Sequence, residues 1–390
     1  MKNISDSYNI IADAGNSTIK IIHNDKYCIY DNVYAQNVYI NYVGINSEED
    51  EYLKDILNVK FISHAGEEIE ESQEFVFEDF ATLYKNELEE RLNIDKSSDP
   101  MMTKVTVLAA VNYILEHIES DNIEENMEIN ISLTIGLPIN EYKIRVLREK
   151  YRNSFKGKHK IEFKDPRYPV KDILVNINNV NIKMEGLSAL SALTKVGEIS
   201  KEKELLLDNV YYVIDIGGYC TNIVGGIIRE EKQKVKLEII DKFNKGLNYG
   251  ISSAQDVAIE KIIRKYEGNV YSRFTITRKQ IRDAELREGI HKNIINNKFR
   301  TNTAEFTKDE YKKLGKKIAD DFAKFIYLNR DFSYRDILKK IYITGGGALN
   351  NIVVESIIQR LEFYEINKTI VEIAKSINPV YANAVGYYLD

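Results

Sequence analysis

Two stretches of the chain carry the same alternation of apolar and polar positions. Near the start, Tyr8-Asn-Ile-Ile-Ala-Asp13-Ala-Gly15-Asn16-Ser17-Thr18-Ile-Lys20 leads an apolar run into an aspartate, a glycine-containing turn and a second apolar run. Near the middle, Val210-Tyr-Tyr-Val-Ile-Asp215-Ile-Gly217-Gly218-Tyr219-Cys220-Thr221-Asn222-Ile-Val repeats that plan. Each predicts a β-hairpin: strand-forming residues, glycines able to take positive φ, then another strand. The aspartate closes the first strand in both, so rigid backbone holds its carboxylate beside a turn rich in exposed N–H groups. Such a turn suits phosphate oxygens, and an adjacent carboxylate suits hydrated Mg²⁺.

The remaining pattern is mixed helix and strand. Residues 8–45 alternate strand patterns and turns, consistent with a small sheet. Asp99-Pro100 joins an N-cap to proline at the first helical position. The helix it opens sets Val107, Leu108, Val111, Ile114, Leu115 and Ile118 at helical spacing, a core stripe. A strand over 128–136 leads to Pro138, a helix follows over 141–155, and 156–180 is a loop-and-strand region holding Pro166 and Pro169. Glu185-Gly186-Leu-Ser-Ala-Leu-Ser-Ala-Leu starts a small-residue helix that opens the second half. Lys340-Ile-Tyr-Ile-Thr344-Gly345-Gly346-Gly347-Ala348-Leu349 is a strand running into three glycines and then a helix over 350–363. Glycines there let backbone approach a flat or anionic ligand, and the helix N-terminus adds partial positive charge. Finally, Asn378-Pro379-Val-Tyr-Ala382-Asn383-Ala384-Val-Gly386 gathers small residues where the chain crosses or docks tightly. No low-complexity linker separates the halves, which suits two lobes joined by crossing segments.

In this order the motifs resemble the actin-like ATPases, the superfamily that also holds the heat-shock chaperone ATPases and the sugar kinases. The Asp13 hairpin is similar to their first phosphate motif, the Asp215 hairpin to the second, and Thr344 to Ala348 to the adenosine motif. Ile135-Gly136-Leu137-Pro138-Ile-Asn-Glu141-Tyr142 resembles the first inter-domain connector, and Ala382 to Gly386 the second. The Gly-Leu-Pro-x-x-Glu-Tyr form looks most like the plasmid-segregating bacterial actins of the ParM type. The resemblance runs from residue 13 to residue 386. It implies an α/β, actin-like fold of two lobes, each with a central mixed sheet and helices, and a nucleotide cleft between them. Domain I would be 1–180, with 378–390 returning to it, and domain II 181–377.

The same resemblance implies a site. Asp13 and Asp215 would hold Mg²⁺ through water. Gly15, Asn16, Ser17 and Thr18, with Gly217, Gly218, Thr221 and Asn222, would hold phosphates, and Lys20 would offset their charge. Gly246, in the loop 245–250, would face the ribose, and Gly345, Gly346, Gly347 and Ala348 the base. Glu141 and Asp215 would be catalytic, with Glu141 orienting or deprotonating the attacking water. The alternative for Glu141 is a glutamate in the first turn of a helix, favoured there by the dipole. The second phosphate motif departs from its family at Tyr219, Cys220 and Asn222, the last standing where a second acid is usual. Asn cannot take a proton as Asp can, so slow hydrolysis is expected. The nucleotide is ATP or GTP; these residues do not separate them. The implied function is a cytoplasmic, filament-forming ATPase that segregates plasmid DNA. Its partners would be further copies of itself and a ParR-like adaptor bound to centromere-like DNA, with no direct nucleic-acid contact and no membrane. The alternative is a sugar or carboxylate kinase of the same superfamily, against which stands the lack of an acceptor-site insertion near the connector.

Composition narrows this little further. The 390 residues suffice for two domains with separate cores. Charged residues at 29% and apolar ones at 44% give a globular balance. No apolar stretch approaches bilayer length, and Met1-Lys-Asn-Ile-Ser-Asp lacks the apolar core of a signal peptide. Cys28 and Cys220 are far apart and read as reduced thiols. The five histidines show no zinc spacing. There is no Walker-type phosphate loop. Charge is uneven: residues 1–100 hold 21 acidic and 8 basic residues, a net −13 against −6 overall, so the other 290 carry +7. The acidic clusters at 47–51 and 66–71 are either a solvated face or a surface that meets a basic region of the next subunit.

Overall fold

The computed structural model describes residues 3–36, 38, 57–65, 71–78, 81, 88–90, 95–118, 125–165, 168, 170–196, 209–231, 234–267, 276–286, 293–296, 299–328 and 337–389. The chain divides into two units, 1–137 with 141–183, and 138–140 with 184–390. The acidic clusters, apart from Glu71, fall outside the described residues.

The first unit opens with β1 (Asn3–Ala14), β2 (Thr18–His23) and β3 (Lys26–Asp31), each antiparallel to the one before. The strands β4 (Val33–Gln36), β5 (Leu57–Ala65), β6 (Glu71–Phe77) and β7 (Leu88–Glu90) precede helix α1 (Pro100–His117). Then come β8 (Asn126–Leu137), the short helices α2 (Ile139–Tyr142) and α3 (Arg145–Phe155), β9 (Gly157–Phe163) and β10 (Asp172–Met184). The ten strands make one sheet, ordered β3-β2-β1-β8-β10-β9-β5-β6-β4-β7, in which β1 runs parallel to β8.

The Asp99 carboxylate caps α1 by accepting from the Met101 N–H at 3.0 Å. Rather than one apolar stripe, every residue of this helix from Met101 to Leu115 is buried. Its polar members find partners: Lys104 Nζ donates to Gln73 Oε1 at 2.5 Å and Asn112 Nδ2 to Glu116 Oε1 at 2.9 Å. The single helix expected over 141–155 is broken between α2 and α3, where Ile144 is extended. Arg148 satisfies a carbonyl freed by the break, donating from Nη1 to Tyr142 O at 2.9 Å.

In the second unit α4 (Leu187–Lys195) is followed by β11 (Val210–Ile216), β12 (Thr221–Glu231) and β13 (Lys234–Ile239), again successive antiparallel strands. The short β14 (Lys245–Leu247) pairs with β12 and leads to α5 (Ile251–Glu267) and α6 (Arg278–Leu286). A separate ribbon, β15 (Asn293–Asn296) with β16 (Phe299–Asn302), precedes α7 (Ala304–Leu328). The chain closes with β17 (Leu338–Thr344), α8 (Asn351–Phe363), β18 (Val371–Ile373) and α9 (Ala382–Leu389). The sheet order is β13-β12-β11-β17-β18, with β11 parallel to β17. Three antiparallel strands followed by a parallel neighbour is therefore the opening of both sheets.

Residues 378–390, expected to return to the first unit, group with the second. The reason is a close helix crossing: a Cβ on Gly386 would stand 2.0 Å from the Ser188 carbonyl oxygen, so only glycine lets α9 sit on α4. Lys195 Nζ adds a bond of 2.7 Å to the Leu389 carbonyl.

Candidate functional site

Both predicted hairpins form, and their registers match. Asp13 lies across from Lys20, and Asp215 lies across from Asn222. The first turn closes with Gly15 N–H on the Thr18 carbonyl at 2.9 Å, the second with Gly217 N–H on the Cys220 carbonyl at 2.8 Å. The glycines are needed for a reason other than the one expected. Positive φ occurs at Gly157, Gly186 and Gly345, not at Gly15 or Gly217. What excludes a side chain is space, since a Cβ would meet Thr18 O at 2.8 Å in the first turn and Cys220 O at 3.0 Å in the second.

In the first turn, Asp13 and Lys20 are both buried and form an ion pair of 3.0 Å. Lys20 thus neutralises Asp13. Asn32 braces the turn, its N–H on Ser17 O and its Nδ2 on Gly15 O, both at 2.9 Å. Asn16 is buried, yet its Oδ1 has no hydrogen-bond partner among the described residues. Polar atoms buried in this way mark a place where a further group belongs.

The second turn sits in a denser polar setting. Asp215 is buried and receives Asn383 Nδ2 at 3.0 Å, Asn222 Nδ2 at 3.4 Å and Thr344 Oγ1 at 3.4 Å. Asn222 is fully buried; its Nδ2 also points to Glu185 Oε2 at 3.4 Å, while its Oδ1 accepts from Ile139 N–H at 3.2 Å. One amide therefore bridges two buried carboxylates and ties them to the connector. Glu185, at the end of β10, was not among the residues singled out from sequence. Its signals are a glutamate closing a strand, and the following Gly186 at φ 73°, whose N–H is held by Asn383 Oδ1 at 2.8 Å.

The turn's own groups are divided. The Gly217 and Gly218 carbonyls accept from Ile251 N–H at 3.0 Å and Ser252 N–H at 2.8 Å, the first amides of α5. The Gly218 and Tyr219 N–H groups have no acceptor among the described residues. Thr221 is committed elsewhere, its hydroxyl donating to Tyr249 O at 2.9 Å.

Glu141 lies in the first turn of α2. It is buried, and its Oε1 and Oε2 accept from the N–H groups of Lys96 and Ser97 at 3.0 and 2.8 Å. Both oxygens cap the 3₁₀ turn Lys96–Ser98. The Glu141 carboxylate thus holds that turn through two backbone N–H groups.

The glycine run after β17 packs on the end of β11. Gly345 takes φ 81°, and a Cβ there would meet Ile216 O at 2.5 Å. A Cβ on Gly347 would meet Ile216 Cγ2 at 2.3 Å, and Ala348 is buried. Only at Gly346, of these three glycines, is there no atom within 4 Å of an added Cβ. A short 3₁₀ turn, Gly346–Leu349, separates the run from α8, which Asn350 caps through Val353 N–H at 3.2 Å. Gly246 is bare because Asn140 fills its side: an added Cβ would meet Asn140 Oδ1 at 2.5 Å. Beside it, Lys317 Nζ lies 3.9 Å from the Tyr249 ring centre. Burial, and then a hydrogen bond to Asp321, push the Tyr249 hydroxyl far above its usual range.

Residues 12–187 match the sequence model of the N-terminal domain of actin-like proteins. No curated protein matches the chain by sequence. Among solved structures, a 15-stranded ParM filament from Clostridium botulinum is similar at 18% identity and TM-score 0.68, with 98% of each chain covered. The actin-like protein Alp7A is similar at 15% identity and TM-score 0.64, covering 98% of this chain and 95% of its own. The archaeal actin homologue Ta0583, in complex with ADP, is similar at 15% identity and TM-score 0.61, covering 97% of each. The chain has the actin-like fold, carried over nearly its whole length.

Proposed function

We propose that this protein is a nucleotide-dependent, filament-forming actin-like ATPase. The observation that carries the reading is the second turn, whose Gly218 and Tyr219 N–H groups have no acceptor among the described residues and which follows the buried Asp215, linked to Glu185 by one amide. Unpaired amides fit phosphate oxygens, and carboxylates held by neutral donors fit a hydrated cation. Asn16, with its unpartnered Oδ1, and Lys20 make the first turn a second phosphate-binding element. Asp13 and Asp215 would hold Mg²⁺ through water, where it would neutralise phosphate charge. Glu185, rather than Glu141, orients and deprotonates the attacking water, because the carboxylate oxygens of Glu141 are occupied by backbone. Gly346 gives the base an open approach. Asn222, its amide engaged on both sides, positions the carboxylates and does not bind the nucleotide directly.

The likeness to a ParM filament supports self-assembly, and the ParM-type connector extends the proposal to plasmid segregation through an adaptor protein on centromere-like DNA. Sedimentation and electron microscopy with and without Mg²⁺-ATP or Mg²⁺-GTP test it. Cooperative, nucleotide-dependent pelleting is expected. A protein that stays monomeric across concentrations and phosphorylates an added sugar or carboxylate would be a kinase instead.

A further inference from the structure

Tyr219 occupies the second turn where the related motifs carry a small residue, and its side chain does not face an empty space. It is buried, its hydroxyl donates to Asp256 Oδ2 at 2.5 Å, and the Arg278 guanidinium lies 4.9 Å from its ring centre. Asp256 also receives Arg278 Nη1 at 3.5 Å. Asp256 belongs to α5 and Arg278 opens α6. Arg278 is itself buried, and burying a guanidinium is costly unless a carboxylate and a ring take the place of water. The same turn is joined to α5 by the Gly217 and Gly218 carbonyls on Ile251 and Ser252 N–H.

We propose that Tyr219 is a positioning residue that anchors this turn to α5 and α6, holding the Gly218 and Tyr219 N–H groups in place before a nucleotide phosphate arrives. Its hydroxyl bond fixes a side chain that the turn sends to those helices. Ordering flexible backbone on binding is unfavourable, so a turn already held binds phosphate more tightly. Arg278 and Asp256, which this reading places outside the phosphate contacts, then affect nucleotide affinity through Tyr219. The proposal rests on reading the turn as a phosphate site, but the anchor itself can be tested without nucleotide.

Tyr219→Phe removes the hydroxyl and keeps the ring under Arg278. In the nucleotide-free protein, hydrogen exchange at the Ile251 and Ser252 amides is expected to quicken by about ten-fold, because their bonds to the turn open more often. Calorimetric titration with Mg²⁺-ATP and Mg²⁺-GTP is expected to show about five-fold weaker binding, the net worth of one hydrogen bond. Asp256→Ala should weaken binding by a similar factor, and the double variant by little more than either alone. Unchanged exchange at Ile251 and Ser252 in a folded Tyr219→Phe protein overturns the anchor, as does full additivity of the two losses. If the wild-type protein binds neither nucleotide while exchange responds as expected, the phosphate reading fails and the anchor stands.

Discussion

Glu141 and Glu185 are both buried carboxylates with different surroundings, and the proposed function gives them different roles. Glu141 accepts two backbone N–H bonds and holds a 3₁₀ turn. Glu185 meets an amide and a thiol, Asn222 Nδ2 at 3.4 Å and Cys220 Sγ at 3.8 Å. Glu185→Gln should therefore leave the fold and nucleotide binding intact and slow phosphate release by roughly 10²-fold or more. Glu141→Gln should do the reverse: a lower unfolding temperature, from losing a charged acceptor that contributes about 1.5–3 kcal/mol per bond, with phosphate release per folded molecule unchanged. Phosphate-release assays and thermal unfolding on the two variants separate the roles. The connector motif drew attention to Glu141 because it is a recognisable string. Glu185 lacks such a string, since what singles it out is a contact with Asn222, 37 residues away.

At the level of elements, the hairpins were legible because their information is local: strand formers, a tight turn, strand formers again. Their matching registers follow from the repeated spacing, seven residues from Asp13 to Lys20 and from Asp215 to Asn222. The break between α2 and α3 was not legible: Arg148 reaches back within the segment to the Tyr142 carbonyl, and the turn at Lys96–Ser98 holds Glu141 from outside it. Packing also sets the glycines apart. A Cβ on Gly250 would stand 2.3 Å from Gly217 O and 2.6 Å from Gly218 O, so Gly250→Ala should push α5 off the turn. Overpacking of this kind costs about 1–3 kcal/mol, and nucleotide affinity should fall with it. Gly346→Ala, with nothing within 4 Å, should leave thermal stability nearly unchanged. Differential scanning calorimetry on both proteins checks the contrast.

For the whole molecule, the uneven charge bears on assembly. Residues 1–100 carry net −13 and the rest +7. The described basic residues include Arg145, Arg148, Lys150 and Arg152 on α3, a helix that also exposes Val146 at 74%. If opposite charges meet between subunits, the critical concentration for nucleotide-dependent assembly should rise with salt, because exposed pairs are screened beyond about 10 Å at 0.1 M. Light scattering from 50 mM to 500 mM KCl, taken here as roughly spanning Debye lengths of 14 to 4 Å, measures it. Filaments indifferent to salt would remove the charge argument and leave the function in place.

The sequence by itself determined the two hairpins, the glycine run and the order of the motifs, because backbone propensity and short-range spacing act within a dozen residues, and the resemblance those motifs carry implied the class of fold. Tertiary structure alone decided that Glu141 is a cap, that Asn222 bridges Asp215 and Glu185, and that residues 378–389 pack with the second unit. In each case the deciding partner comes from a distant part of the chain: Lys96 for Glu141, Glu185 for Asn222, Ser188 for Gly386. A buried carboxylate's chemistry depends on which donors surround it, and those donors are brought together only when the sheets and helices pack.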